Sequence, residues 1–524
     1  MCGILLCMSK DENAAKQVIK TLTETISNRG PDSYHRIDIT EQLSTKNDRE
    51  PSSKIHITFV GCVLWLRGQC PQSQPLINQQ NGDLFLWNGD VFEGVDMDAK
   101  QCDTSVLGEL LSDPNLNIPQ FMSNIRGPFA FIYYQRNFKR LWFGRDFFGR
   151  HSLLIHKSKD YLILSSATGN DLCSKLDFIE VPAAGIYQTD LDFFENQVIS
   201  LSPYLRENSA NSKEPIGNKI HTNSFSNIGN PLNCKVLNSV IHSDILQAVK
   251  TQETNHENVL RELLLNDNFS KYAKTFENIL LDSVRRRVVN QPGLCKDCVK
   301  QRLQETKHIH SELQHTCKHP KIGVLFSGGL DSAVLAALAH LCLPACEEID
   351  LINVAFEQQF QKDKSTSNKL DYSFNVPDRQ TGLIALEELR KAYPERNFNF
   401  VMVNVEKSEL IQKRKDHIKH LLFPLDTVLD DSIGCAIWFA ARGIGILLES
   451  NADNADICST YQSPCRVILL GMGADEQLGG YSRHRERFRK DGFEGLINEI
   501  RLGNKLMNIY CRSKVLIFIL GTSY

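Results

Sequence analysis

Four stretches of this 524-residue sequence carry residue types whose order suggests chemistry rather than packing. In the first, the apolar run Ile322-Gly-Val-Leu-Phe326 feeds Ser327-Gly-Gly-Leu-Asp-Ser332, and a helix-forming run from Ala333 to Ala339 follows at once. A buried strand, a tight turn and a helix N-terminus make a cradle for phosphate. Gly328 and Gly329 let backbone N–H groups approach an anion, and the first helical turn adds unpaired donors and the positive end of its dipole. Ser327, Asp331 and Ser332 complete the turn. No Gly-Lys-Ser/Thr triplet follows, so the grip of a P-loop on β/γ-phosphates is excluded and a different use of ATP is implied. The second stretch is Gly471-Met-Gly-Ala-Asp-Glu-Gln-Leu-Gly-Gly-Tyr481, at the exit of another apolar run. With Gly471 and Gly473 it presents Asp475 and Glu476, and paired acids opposite a phosphate loop suit Mg²⁺, which takes one or two carboxylates plus substrate phosphates. Acids favoured by a helix dipole are the plainer alternative.

The third is Cys2 together with Asn88-Gly89. Removal of Met1, which the small second residue permits, leaves a thiol and a free α-amine on one residue. With a thiol near pH ~8.5 and an amine near ~8, that residue is a nucleophile carrying its own base. The apolar run Leu84-Phe-Leu-Trp-Asn-Gly-Asp90 ends in Asn-Gly, which sets a side-chain amide beside a bare backbone N–H, the parts of an oxyanion hole. The fourth is Cys295-Lys-Asp-Cys298 followed by Cys317 and His319. Thiolates and imidazole suit a tetrahedral zinc site, though a second Cys-x2-Cys is absent and a charged hairpin with incidental cysteines is the alternative.

The elements that must hold these residues differ between the two ends of the chain. Toward the N-terminus, Ile125 to Tyr133, Leu141 to Gly149 and Tyr161 to Ser166 read as β-rich segments separated by turns. Residues 191–270 shift toward Asn, Ser, Lys and Glu and read as a polar linker or insertion. Tyr272 to Arg285 has apolar residues at three- and four-residue steps and opens a second domain as a helix. From there strands alternate with helices: Leu351 to Phe356, the helix Gln380 to Arg390, Phe400 to Val405, the helix Ser432 to Arg442, then Arg466 to Leu470. This alternation predicts a doubly wound parallel sheet with ligands at the carboxyl ends of its strands, so the loops after Phe326, Phe356 and Leu470 should converge.

Length predicts two to four domains. A hydrophobic content of 42% and a net charge of −3 give no reason to expect nucleic acid as a partner. No signal core and no membrane-length apolar run is present, so the expectation is a cytosolic protein whose sixteen cysteines are thiols, metal ligands or nucleophiles rather than disulfides.

Taken in order, Cys2, Asn28-Arg-Gly-Pro-Asp-Ser33, Gln74-Pro-Leu76, Asn88-Gly89 and Val181-Pro-Ala-Ala-Gly-Ile-Tyr187 resemble the glutaminase domain of class II amidotransferases, an N-terminal-nucleophile αββα sandwich, over residues 2–190. The resemblance implies that Cys2 attacks the glutamine side-chain amide, that Asn88 and Gly89 hold the oxyanion, and that Asp103 binds the substrate's α-amino group. The family's carboxylate-binding arginine falls on Val63, which leaves Arg67 as the nearest substitute. Two further departures are Asn28 for the family's histidine and Asp90 for its glutamate. Ser327 to Ser332 is similar to the pyrophosphate loop of N-type ATP pyrophosphatases. With the Gly471 loop, residues 271–524 look like the synthetase domain of the asparagine synthetase B family. That implies glutamine and a carboxylate, aspartate foremost, as substrates, and adenylation by ATP with Mg²⁺ and release of pyrophosphate. Asp430 and Ser432 are similar to a further nucleotide-pocket loop of that family. Met472 replaces a family glutamate, and the family's later Arg-rich turn, Pro-Phe-Leu-Asp motif and lysine are not matched, so a shortened synthetase domain ending in the apolar run Val515 to Leu520 is expected.

Overall fold

The computed structural model describes residues 1–42, 54–98, 100–169, 172, 175–191, 194, 198–204, 220–221, 263–305, 316–358, 374–448, 459–509 and 518–519. The strand Gly3–Ser9 is buried at every position because it is covered on both faces. Ile4, Leu6 and Met8 point one way, into a core shared with a second sheet, while Leu5 and Cys7 point the other way, onto Ala15, Ile19, Leu22 and Ile26 of the helix Glu12–Ser27. The two-residue side-chain period of a strand makes this split. Its sheet runs Ile179–Glu180, Leu154–Lys157, Tyr161–Ser165, Gly3–Ser9, Lys54–Val63, Ser33–Gln42, all antiparallel.

The second sheet runs Ile220–His221, Ser200–Pro203, Gly185–Asp190, Arg140–Arg145, Phe129–Gln135, Leu84–Gly89, Leu76–Ile77. Leu84 and Leu86 face the shared core, whereas Phe85 and Trp87 pack outward beside Leu107, Ile118 and Met122 of the helices Asp103–Leu110 and Ile118–Asn124. The result is helix, sheet, sheet, helix. This second sheet continues past residue 190, where a polar linker was expected. The bulk of that expected linker, 205–219 and 222–262, lies outside the described residues.

The third sheet differs from the expectation at its edges. Phe398–Val405, Ile349–Phe356, Ile322–Leu325 and Val467–Leu469 form a parallel centre, but Ile444–Leu448 pairs antiparallel to it on one side, with Ser459–Gln462 antiparallel in turn to Ile444–Leu448, and Phe518–Ile519 pairs antiparallel to it on the other. The sheet is therefore mixed rather than all parallel. The physical reason is local: the helix Val428–Arg442 ends at Gly443 in a left-handed conformation and returns the chain to the carboxyl end of Phe398–Val405, with Ile446 opposite Met402, so the next strand runs back along it. Helices cover both faces. Asp267–Val288, Leu330–Cys342 and Pro377–Ala392 pack on one, Val428–Arg442 on the other. Of the apolar run Val515 to Leu520, only Phe518 and Ile519 are described, paired to Ile468 and Val467 at the sheet edge.

The two halves meet over a buried ion pair. Asp32 Oδ2 accepts at 2.7 Å from Arg466 Nη2 and at 2.7 Å from the Trp65 backbone N–H, and Arg466 also donates to the Trp65 carbonyl at 2.6 Å. Beside it, Trp65 joins Leu294 and Val299 in a small core. On the far side Arg286 Nη1 meets Glu93 at 2.6 Å and Arg287 lies over the Phe92 ring.

Candidate active sites

Cys2 stands at the mouth of the first strand, and a pocket opens around it between the two antiparallel sheets. Val63, Leu64 and Arg67 form one wall, Asn88 and Gly89 a second, Asp103 and Thr104 a third. The Cys2 thiol points to the Leu64 carbonyl at 3.9 Å. Asn88, next to last in the strand Leu84–Gly89 and in register with Ala130, is fully buried, and among the described residues neither of its side-chain polar atoms has a hydrogen-bond partner. Asp103 opens its helix buried at the pocket edge, where its carboxylate accepts from Trp87 Nε1 at 3.2 Å and from the Thr104 N–H at 2.9 Å. Burial, with Asp90 adding and Arg67 opposing, pushes the Asp103 carboxyl up to about 6. Arg67 has no hydrogen bond or ion pair among the described residues.

Met1 is retained, so the amine that Cys2 would expose is here a peptide nitrogen. Burial, with Arg29 adding, lowers the Met1 α-amine to about 5, while burial pushes the Cys2 thiol up and the nearby amine pulls it back. A buried amine beside a guanidinium stays neutral near pH 7, which is what a proton acceptor needs.

Three pocket neighbours had no role in the sequence reading. Arg29 donates through Nη1 to the Ser166 carbonyl at 2.9 Å and through Nη2 to Met1 Sδ at 3.5 Å. It lay in the Asn28-Arg-Gly-Pro-Asp motif, whose order was its only signal. Gln74 accepts the Trp87 N–H at 2.7 Å and donates to Thr104 at 3.2 Å, tying the second wall to the third. His151 is buried with Nδ1 unpartnered, and burial drives its pKa well down. A lone histidine carries no spacing from which to find it.

In the third sheet, the strands Ile322–Leu325 and Val467–Leu469 are parallel neighbours, and the chain leaves both at the same edge. Their exit loops converge. A Cβ at Gly471 would lie 2.8 Å from that of Asp331. Gly328 holds φ +80, and a Cβ there would come 2.3 Å from the Thr381 main chain, so only glycine fits. Ser327 Oγ accepts the Gly329 N–H at 3.3 Å, Thr381 donates to the Ser327 carbonyl at 2.7 Å, and Ser332 donates to the Gly329 carbonyl at 2.9 Å. Gly329 then caps the helix Leu330–Cys342, whose first N–H groups open outward.

Opposite, Gly473 with φ +90 starts the short helix Ala474–Leu478, which holds Asp475 and Glu476 in its first turn. Glu476 accepts from the Tyr481 hydroxyl at 2.6 Å. Burial and the charge of Asp475 both push the Asp331 carboxyl up, so the two acids face each other's field and fit a shared cation. Of the expected nucleotide loops, the one after Phe356 lies largely outside the described residues. Asp430 and Ser432 are taken up locally: Thr427 donates to Asp430 at 2.6 Å and Ser432 to the Val428 carbonyl at 2.8 Å. Met472 packs against the apolar core beneath the Val428–Arg442 helix.

The fourth group also comes together. The Sγ atoms of Cys295, Cys298 and Cys317 and a ring nitrogen of His319 all lie within 4.8 Å of one another.

The glutamine amidotransferase domain family matches residues 69–170, and the asparagine synthase family matches residues 311–389. Asparagine synthetase domain-containing protein 1 of Mus musculus is 36% identical over 96% of this chain and 83% of its own length. Asparagine synthetase domain-containing protein CG17486 of Drosophila melanogaster is 32% identical over 97% of this chain and 82% of its own. Asparagine synthetase [glutamine-hydrolyzing] 2 of Bacillus subtilis is 22% identical over 95% of this chain and 55% of its own. The length and depth of these matches place the chain in one family: it belongs to the asparagine synthetase domain-containing proteins.

Proposed function

We propose that this chain is a glutamine-dependent amidotransferase that hydrolyses glutamine at Cys2 and uses the ammonia to amidate a carboxylate activated by ATP, aspartate being the favoured acceptor. One observation carries the reading. Asn88 is fully buried with both side-chain atoms unpartnered, and it faces the same pocket as Cys2. A buried amide without partners costs about 1–3 kcal/mol, a cost relieved when a ligand oxygen arrives.

With Met1 removed, the Cys2 amine accepts the thiol proton and the sulfur attacks the δ-carbonyl carbon of glutamine. Asn88 Nδ2 and the Gly89 N–H receive the oxyanion. The C–N bond breaks, the amine returns its proton to the leaving ammonia, and water then cleaves the thioester to glutamate. Asp103 receives the substrate ammonium and Arg67 its carboxylate. At the third sheet, Ser327, Gly328, Gly329, Asp331, Ser332, Gly471 and Gly473 receive the pyrophosphate of ATP. Mg²⁺ held by Asp475 and Glu476 would neutralise phosphate charge there. The acceptor carboxylate attacks the α-phosphorus, pyrophosphate leaves, and ammonia displaces AMP. The B. subtilis relative is named a glutamine-hydrolysing asparagine synthetase, and the two matched domains on one chain support that overall reaction here.

The test is glutamate release from glutamine by chain whose N-terminus is confirmed as Cys2, beside Cys2→Ala, then pyrophosphate release with ATP, Mg²⁺ and aspartate. Glutamate that disappears in the variant, with aspartate-dependent pyrophosphate, is the expected result. A second reading, an ATP-binding interaction protein with impaired catalysis, is favoured by Val63 on the pocket wall and by Met472 in the apolar core. ATP binding with neither product would decide for it.

A further inference from the structure

Cys295 lies one residue ahead of the helix Lys296–Glu305 and Cys298 one turn inside it, so both thiols sit at that helix's N-terminal end. Cys317 arrives from the segment leading into the strand Ile322–Leu325. Its N–H donates to the Gly293 carbonyl at 2.8 Å, and its sulfur accepts the Cys295 N–H at 3.1 Å. A backbone N–H aimed at a sulfur is the outer-layer support that holds a ligating thiolate in place. His319 turns Nδ1 toward the sulfurs, 3.5 Å from Cys295 and 3.5 Å from Cys298.

These spacings are informative. With Zn–S about 2.3 Å and Zn–N about 2.0–2.1 Å, the sulfur and nitrogen of a regular tetrahedron stand about 3.6 Å apart, and two sulfurs about 3.8 Å. The two S···N separations match the first figure, and the 4.8 Å envelope of the four atoms leaves room for the second. All three cysteines are free thiols. Three soft sulfurs and an imidazole suit zinc better than magnesium or calcium, and four protein ligands leave no open position for a reacting water.

We infer that Cys295, Cys298, Cys317 and His319 bind one structural zinc ion, and that this zinc knuckle clamps the wall of the Cys2 pocket onto the third sheet. The clamp follows from the knuckle's neighbours. Cys298 and Cys317 pack against the small core of Trp65, Leu294 and Val299. Trp65 follows Leu64, whose carbonyl faces Cys2, and the Lys296 N–H donates to the Pro464 carbonyl at 2.9 Å, two residues before Arg466. The metal would therefore fix the joint between the halves without touching either reaction.

Full-length chain should be purified without chelator and its metal content measured, and the zinc then exchanged for Co²⁺. About one zinc per chain is expected, with the intense visible bands of a tetrahedral cobalt–thiolate site, and both should fall to background in Cys298→Ser but persist in Cys342→Ser. Chelation should speed amide hydrogen exchange in residues 63–67 and 293–305 while leaving the Gly3–Ser9 strand protected. Because the cobalt spectrum is read on the wild-type chain, a Cys298→Ser variant that fails to fold does not shelter the proposal, and none of these readouts depends on glutamine or ATP turnover. Wild-type chain without zinc or cobalt bands, zinc retained in Cys298→Ser, or a Cys295–Cys298 or Cys295–Cys317 disulfide in freshly purified chain would overturn the site. Exchange in 63–67 indifferent to chelation would overturn the clamp.

Discussion

Asp103 is the residue whose environment says most about substrate. Its carboxyl is pushed up to about 6 chiefly by burial; an indole, a backbone N–H and the Cys102 thiol donate to it, and among the described residues no cation is bonded to it. A carboxylate so placed gains most from an ammonium. Below about pH 6 it becomes protonated and loses that attraction, so KM for glutamine should climb roughly tenfold per pH unit as pH falls from 6 to 5. Asp103→Asn should raise KM by about 10- to 100-fold with kcat little changed and should flatten that acid limb, since a charge-assisted hydrogen bond contributes ~1.5–3 kcal/mol. A variant that keeps the wild-type KM and pH profile would remove Asp103 from glutamine binding. In the proposed reaction Arg67 is its counterpart. Arg67→Ala should raise KM by a similar factor and Arg67→Lys by less, read in the same assay, because an ammonium keeps the charge but not the fork of a guanidinium. Equal KM in all three chains would mean that nothing replaces the arginine lost at Val63.

Among elements, the loop between the strand Ile322–Leu325 and the helix Leu330–Cys342 is the most tightly specified. Gly328→Ala should cost ~1–2 kcal/mol of backbone strain and displace the loop from Thr381, lowering ATP affinity at least tenfold while glutamate release from glutamine is retained. Isothermal titration with ATP checks it, and unchanged affinity would mean the nucleotide does not use this loop. This loop was legible in the sequence because Ser-Gly-Gly between an apolar run and a helix former allows few backbone paths. The helices Asp267–Val288, Pro377–Ala392 and Val428–Arg442 were legible for the same kind of reason, a repeated period. The antiparallel edges of the third sheet were not. A short apolar strand reads alike in either direction, and here direction follows from which end of Phe398–Val405 the helical connection returns to, which no local pattern records. Nor could the sequence bring Arg29 and His151 to Cys2, since they converge from separate elements and carry no shared spacing.

At the scale of the whole molecule, the halves are joined by Asp32 and Arg466, whose side chains are 7% and 2% exposed. Removing one partner of a buried pair strands the other's charge, so Asp32→Ala should destabilise the chain by about 3–5 kcal/mol in urea unfolding. The double replacement Asp32→Leu with Arg466→Met should cost clearly less than the two single changes added together. Strict additivity would show that the pair does not couple the halves. Arg466 closes a run in which neighbouring residues answer to different masters. The Pro464 carbonyl accepts from Lys296, Cys465 points its thiol to Asp350 at 3.5 Å, and Arg466 reaches Asp32. Substitutions here subtract one contact at a time. A one-residue deletion between 463 and 466 would instead hand each partner to the wrong neighbour at once, so this stretch should tolerate changes of letter far better than changes of length.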